Sequence, residues 1–462
     1  MAEISRRPAR SALELIGNTP MLELTRFDVG PCRLFVKLEN QNPSGSVKDR
    51  IGLSMIEAAE RDGRIKPGDT IIEATAGNTG LGLAQAGALK GYHVLLIVPD
   101  KMAREKIQHL RALGAEVRIT RSDVGKGHPD YYQDKAERLA RETGAFYVNQ
   151  FANPANPQAH EETTGPEIWE QMNHDLDAVV LGVGSGGTLT GIGRFLRRVA
   201  PRVQIVLADP VGSILAPYVR TGELVQAGSW AAEGIGEDFI PPNADLTLVD
   251  RAYSISDKEA VETARALLAK EGILGGSSSG TLLAAALRYC REQTACKRVV
   301  TLVPDSGNKY LSKIYNDYWV LEQGLAEREL HGDLRDLITR RFDRGGAVTV
   351  APSDSLLIAY NRMRDSDVSQ LPVVDNDRVV GILDESDILA FVEGAEEHRA
   401  GRFRETVDTA MTRDLHTLQI SDRLDALPSL FERNEVAIVL DGEKFVGLIT
   451  RVDLLNHLRL NP

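Results

Sequence analysis

One lysine and three glycine-rich turns carry the reactive chemistry of this 462-residue sequence. Lys48 lies in the run Asn42-Pro-Ser-Gly-Ser-Val-Lys-Asp-Arg50. The turns downstream are Thr75-Ala-Gly-Asn-Thr-Gly80, Gly184-Ser-Gly-Gly-Thr188 and Gly275-Gly-Ser-Ser-Ser-Gly280. A lysine amine condenses with an aldehyde when burial or a neighbouring cation keeps part of it uncharged. Small-residue turns at helix starts let backbone N–H groups approach anions. One covalent anchor with three such turns meets the needs of a ring cofactor bearing an aldehyde, a phosphate and a pyridine nitrogen. Pyridoxal 5'-phosphate is that cofactor.

In this reading Lys48 has two tasks. It holds the cofactor, and once a substrate amine displaces it, the freed amine takes and returns protons. Gly184, Ser185, Gly186, Gly187 and Thr188 form the phosphate cup, with two hydroxyls beside the backbone donors. Thr75, Ala76, Gly77 and Thr79 suit a substrate carboxylate, and Asn78 is placed to donate to a ring hydroxyl oxygen. Ser277 offers the pyridine nitrogen a neutral hydroxyl, which leaves that nitrogen largely unprotonated and favours prompt β-elimination over transamination. Taken singly, each run also has a plainer reading. Lys48 suits an exposed helix lysine beside Asp49, and the turns suit helix caps or a serine-rich loop. The run at 184–188 lacks the Gly-Lys-Ser/Thr ending of a P-loop and the Gly-x-Gly-x-x-Gly spacing of a dinucleotide site.

The elements that must position these residues alternate between residues 10 and 320. Expected strands include Arg33–Leu38, Thr70–Glu73, His93–Val98, Glu116–Thr120, Leu176–Val183, Gln204–Ala208 and Arg298–Val303. Expected helices include Ser46–Arg61, with Ser46 as N-cap, and Gly80–Lys90, Met102–Leu113, Leu189–Val199, Ser256–Lys270 and Thr281–Glu292. Short apolar runs between amphipathic stretches predict an α/β fold with mostly parallel strands. In such sheets ligands gather beyond the carboxyl ends of the strands, so the turns can converge on one cleft.

After Trp319 the composition changes. Leu325–Arg341 is charged and reads as a largely helical linker. Two weak repeats follow, each a strand, a tight turn, a strand ending in Gly-x-x-x-x-x-Asp, and a helix. Gly381 and Asp387 of the first align with Gly447 and Asp453 of the second. The expected boundaries are 1–325 for a catalytic domain, 326–340 for the linker, and 341–398 and 405–462 for the repeats.

Together these runs resemble the fold-type II pyridoxal phosphate enzymes of the cysteine synthase and cystathionine β-synthase family. Leu15-Ile-Gly-Asn-Thr-Pro20 is a further family-like run, and the resemblance covers nearly all of residues 10–320. It implies a catalytic core of two α/β subdomains. It also implies Lys48 as Schiff-base lysine, Asn78 as ring-hydroxyl partner, 184–188 as phosphate loop, and Ser277 as pyridine-nitrogen partner. Thr75, Gly77 and Thr79 fall in its substrate-carboxylate loop, with Gln150 as helper. The family usually has serine where this chain has Ala76, so a hydroxyl is lost there and sulfur-substrate handling is open to change.

The repeats resemble a tandem CBS-domain module, a unit that often binds adenosyl compounds. That pair, with Gly234-Ile-Gly-Glu-Asp-Phe-Ile-Pro241, favours the β-synthase branch, in which L-serine and L-homocysteine give cystathionine and water. The alternative is an O-acetylserine-dependent cysteine synthase. Hydrogen sulfide release from cysteine is an implied side reaction. Glu237 and Asp238 would meet the homocysteine ammonium group. Thr450 and Asp453 resemble residues that hold an adenosyl ribose. Asp384 and Asp387 occupy the matching stretch, where an acid at 384 replaces the commoner Ser/Thr. A packing module without ligand is the competing reading of the pair. The resemblance further implies a homodimer, with higher homo-oligomers open. No haem is expected, because the amino terminus lacks a Cys/His-bearing extension.

Composition sets the remaining bounds. Hydrophobic residues are 42%, charged residues 26% and the formal net charge is −12, which argues against a nucleic-acid partner. Three cysteines form no metal-like spacing or disulfide framework. No secretory leader or membrane-length apolar run is recognised, so a cytoplasmic, non-membrane protein is expected.

Overall fold

The computed structural model describes residues 8–75, 77–326, 329–393 and 399–460. The chain forms two compact units, one ending at Asn316 and the other beginning at Asp317.

The first unit holds two sheets. In chain order its strands are β1 (Met21–Glu23), β2 (Arg33–Lys37), β3 (Thr70–Ala74), β4 (His93–Pro99), β5 (Glu116–Thr120), β6 (Phe146–Tyr147), β7 (Ala178–Gly182), β8 (Gln204–Pro210), β9 (Arg251–Ile255) and β10 (Arg298–Leu302). One sheet has the order β1-β2-β10-β7-β8-β9 and the other β5-β4-β3-β6. All pairings are parallel except β1 with β2. Near-continuous apolar runs such as Val94–Val98 and Ala178–Leu181 are what a parallel sheet covered on both faces requires. The alternation of β3 shows the layering. Ile71 packs with Ile51, Leu96 and Val98 on one side, while Ile72 packs with Leu95, Ile97 and Ala136 on the other.

Three helices begin earlier than the sequence pattern predicts. They span Asn78–Lys90, Gly187–Val199 and Ser277–Arg291. Their N-caps are Gly77, Gly186 and Gly276, none with a side-chain cap bond. Low helix propensity had placed the turns outside the helices, yet glycine is readily accommodated at the cap itself. The helix after Ser46 differs the other way and runs Lys48–Arg61. Val47 takes the N-cap position, while Ser46, in a bridge to Asp305, stands one residue earlier and its Oγ accepts from Lys48 N–H at 3.3 Å. Ser256 does cap the helix Asp257–Glu271, accepting from Glu259 N–H.

The second unit contains β11 (Gln370–Asp375), β12 (Arg378–Asp384), β13 (Thr417–Gln419), β14 (Ala437–Asp441) and β15 (Lys444–Ile449). β11/β12 and β14/β15 are antiparallel hairpins with matching irregularities, after Val373 in one and Val439 in the other. Val373 opposes Gly381 and Val439 opposes Gly447, so the repeat extends to register. The stretch 325–341, expected to be largely helical, holds only the short 3-10 turn Leu334–Asp336 among its described residues. Its Leu334, Leu337 and Ile338 are buried with Leu427, Val439 and Ile449, and that packing overrides the local propensity. Among the described residues, no helix is long and apolar enough to cross a membrane.

Candidate active site

Lys48 is the first residue of its helix. It is half-buried, and Nζ has no hydrogen-bond or ion-pair partner among the described residues. Asp49 does not neutralise it. That carboxylate accepts from Ser44 N–H at 2.6 Å and from the Ser44 hydroxyl. Burial pushes the Lys48 amine down to about 8, against the opposing charges of Glu237 and Asp305. Arg50 fixes the helix start through Glu39 (2.8 Å) and Glu167 (2.7 Å). A Cβ on Gly82 would lie 2.6 Å from the Lys48 carbonyl oxygen, and one on Gly52 would lie 2.5 Å from the Gly82 carbonyl carbon. The helices beginning at Lys48 and Asn78 therefore pack backbone against backbone.

At the second run, Leu81 N–H is bonded back to Gly77 carbonyl at 2.9 Å. The amides of Asn78, Thr79 and Gly80 precede it and have no intrahelical acceptor. The Thr75 hydroxyl accepts from Gly77 N–H at 3.1 Å. The Thr79 hydroxyl donates to Gln150 Oε1 at 2.5 Å, and Gln150 Nε2 donates to Ala74 carbonyl at 3.1 Å. Gln150 thus joins this loop as a brace. Ala76 lies outside the described residues.

The third run is shaped by close packing. Gly186 has φ 88°, and a Cβ there would lie 2.6 Å from Ala244 N. Ser185 Oγ accepts from Asn156 Nδ2 at 2.9 Å. Thr188 Oγ1 lies 3.2 Å from His160 Nε2, while His160 Nδ1 faces Thr164 Oγ1 at 2.9 Å. Burial, with the Lys48 and Arg50 charges, drives the His160 pKa far down and keeps the ring neutral. Gly184 and Gly187 complete the turn, and Thr190 N–H is bonded to Gly186 carbonyl.

Ser277 is buried at the start of the last of these helices, and its Oγ accepts from Glu233 N–H at 3.0 Å. Glu237 is half-buried with its pKa raised well above the ordinary carboxylate value by burial and then by Asp238, while Asp238 is exposed. Glu237 lies close enough to raise the pKa of both Lys48 and Tyr132. Tyr131, Tyr132, Phe151 and Phe239 form an aromatic chain beside it, with ring centroids separated successively by 4.9, 6.5 and 5.5 Å.

In the second unit, Asp453 Oδ2 accepts from Thr450 N–H at 2.7 Å and from its hydroxyl at 2.6 Å. Asp387 Oδ2 accepts from Asp384 N–H at 3.0 Å, and Asp384 Oδ1 accepts from Asp387 N–H at 2.8 Å. Each pair is brought together as a helix-start box.

Residues 12–305 match the family described as pyridoxal-phosphate dependent enzyme, and residues 334–394 and 406–460 each match the CBS domain. The chain belongs to the cysteine synthase and cystathionine β-synthase family of fold-type II pyridoxal phosphate enzymes. It is 36% identical to cystathionine beta-synthase of Oryctolagus cuniculus, over 96% of this chain and 84% of that one. It is 33% identical to the protein of that name in Saccharomyces cerevisiae, over 97% of each. A hydrogen sulfide-producing enzyme from Fusobacterium nucleatum is 39% identical with TM-score 0.62, covering 66% of this chain and all of that structure. O-ureido-L-serine synthase is 34% identical with TM-score 0.63, covering 70% and 98%.

The site of this family member fits pyridoxal phosphate on its own donor set. The amine of Lys48 has no hydrogen-bond or ion-pair partner among the described residues. The amides of Gly187, Thr188 and Leu189 lack intrahelical acceptors and stand beside two hydroxyls, which suits a phosphate. Sequence reasoning missed Asn156 and His160, which hold the cup hydroxyls, and Asp305, Lys309 and Tyr310. The last three follow β10 directly, and a polar run at the carboxyl end of a parallel strand was the available signal.

Proposed function

We propose that this chain replaces the β-hydroxyl of L-serine with the thiol of L-homocysteine, giving cystathionine and water. The observation that carries the reading is the extent of the likeness. Cystathionine β-synthases align with 93% or more of this chain, through both units, whereas the similar solved structures cover 66–70% of it. Bound pyridoxal phosphate supplies the electron withdrawal that acidifies the substrate α-carbon and frees its β-substituent.

The residues divide the remaining work. Lys48 anchors the cofactor and then, displaced by substrate, takes the α-proton. A pKa of about 8 leaves a usable neutral fraction near neutral pH. The same amine would hand that proton to the β-hydroxyl, which leaves as water, then take the proton of the homocysteine thiol as its sulfur adds at the β-carbon and return it to the α-carbon. Gly184, Ser185, Gly186, Gly187 and Thr188 hold the phosphate. Asn78 donates to the ring hydroxyl oxygen, and Ser277 faces the ring nitrogen. Thr75, Ala76, Gly77 and Thr79 hold the amino-acid carboxylate, with Gln150 steadying them. Glu237 and Asp238 receive the ammonium group of the second amino acid. In the second unit, Asp453 and Thr450, and more weakly Asp384 and Asp387, offer acceptors to the hydroxyls of an adenosyl ribose. The working assembly is a homodimer.

A second reading is favoured by the likeness to the hydrogen sulfide-producing enzyme: cysteine in place of serine, with sulfide as the leaving group. The test compares kcat/KM for serine with homocysteine, cysteine with homocysteine, and O-acetylserine with sulfide, quantifying products by mass spectrometry. Preference for the first pair is expected. Preference for O-acetylserine and sulfide overturns the proposal.

A further inference from the structure

A single carboxylate, Asp305, stands behind the run that carries Asn78. It is fully buried just beyond β10. Its Oδ2 accepts from Asn78 Nδ2 at 2.7 Å and from the Tyr310 hydroxyl at 2.6 Å. The other end of the Asn78 amide is also held. Lys309 Nζ donates to Asn78 Oδ1 at 2.9 Å and to Gly45 carbonyl at 3.1 Å. Lys309 and Tyr310 are both buried, so water screens neither contact well. Burial draws the Lys309 ammonium down to about 8, with Asp305 and Asp49 resisting, so it remains mostly cationic at pH 7.

An amide in this setting has one stable orientation. Turning it over would set its oxygen against the Asp305 carboxylate and its NH2 group against an ammonium. Both attractive contacts would become repulsive. In the observed orientation one N–H is committed to Asp305, and Nδ2 has a second. We propose that Asp305 and Lys309 are positioning residues that lock the Asn78 amide so that it can present only a donor to the cofactor's ring hydroxyl oxygen. A fixed donor there stabilises the deprotonated oxygen, whereas a freely turning amide would offer an acceptor part of the time. Tyr310 extends the arrangement, since its phenol lies against the Ser277 hydroxyl as well. The two polar residues read as touching opposite edges of the ring therefore share one buried charge. The proposal rests on the reading of Asn78 given above.

Full-length holoenzymes carrying Lys309→Met, Asp305→Asn and Asn78→Ala would be compared by two measurements. The first is the ratio of the shorter- to longer-wavelength visible bands of the Lys48-bound cofactor, which reports protonation of its ring oxygen. The second is cofactor affinity, from fluorescence titration of the apoproteins. Lys309→Met and Asp305→Asn are expected to move the ratio in the same direction as Asn78→Ala and to weaken cofactor binding by roughly 5- to 10-fold. Lys309→Arg, which keeps the cation, is expected to restore part of the shift. A wild-type spectrum in both Lys309→Met and Asp305→Asn, with Asn78→Ala shifted, overturns the positioning role alone. An unshifted Asn78→Ala removes the underlying reading of Asn78, and the proposal with it. Where Asp305→Asn fails to fold, Lys309→Met carries the test.

Discussion

The two units begin their key helices in opposite ways. In the first unit, the helices starting at Lys48, Asn78, Gly187 and Ser277 have no side-chain cap bond. At Asn78 and Gly187 the first three amides have no intrahelical acceptor, whereas Lys48 N–H donates to Ser46 Oγ and Ser279 N–H to the Gly276 carbonyl. In the second unit, the helices Glu385–Glu393 and Arg451–Leu460 have aspartates in the first turn, Asp387 and Asp453, that reach back to the amides of Asp384 and Thr450. A carboxylate there covers the backbone donor just before each helix. The same element, a helix start after a strand, thus leaves amides open to an anion in one region and has a neighbouring amide covered by a carboxylate in the other. Residue choice at the cap makes the difference.

Three experiments bear on that contrast. The largest effect is expected from Gly186→Ala. Its added Cβ meets backbone at 2.6 Å and its φ of 88° is strained for alanine. A cost of about 2 kcal/mol, roughly 30-fold in cofactor affinity, is expected from titration of the apoprotein. Unchanged affinity would mean that the open amides at this start do not hold the phosphate.

A smaller effect separates the anchor from the cup. Burial disfavours the Lys48 cation and lowers its pKa to about 8, so the reactive neutral amine gains as pH rises through that value. Its neutral fraction goes from about one tenth at pH 7 to about nine tenths at pH 9. The rate at which the apoprotein forms its imine with pyridoxal phosphate is expected to rise about tenfold and then level off. A rate still climbing above pH 10 would show that the amine is not desolvated.

The smallest effect belongs to the second unit. Asp453→Ala removes the box at Thr450 and is expected to cost about 1 kcal/mol locally. Amide exchange at the start of Arg451–Leu460 should quicken while cofactor affinity stays at the wild-type value. Protection unchanged at that helix start would remove the capping half of the contrast.

The sequence made the donor side legible because glycine and hydroxyl residues cluster for few reasons between a strand and a helix. Lys48 and the three turns were found this way, as was the paired repeat with Gly381 and Gly447. Element limits were less legible. Glycine lowers helix propensity yet serves as a cap, so the helices at Asn78, Gly187 and Ser277 were expected too late. Ser46 does accept from Lys48 N–H, but the cap position falls on Val47, because Ser46 is paired with Asp305, which is distant in sequence. Asp305, Lys309 and Tyr310 were missed because their roles arise only when β10 brings Pro304-Asp-Ser-Gly-Asn-Lys-Tyr310 to the cleft. The run 325–341 looked like a charged helix because its leucines had no visible partners until the second unit folded around them.

The contact between Gly52 and Gly82 has a mechanical meaning. No rotamer intervenes where these two helices touch, so the spacing between the backbones of Lys48 and Asn78 has no side-chain joint through which to drift. Any swing of the surrounding layers must carry both as one rigid bar. Widening the site toward a bulkier substrate would therefore require yielding on its other walls, where loops and aromatic rings can give way.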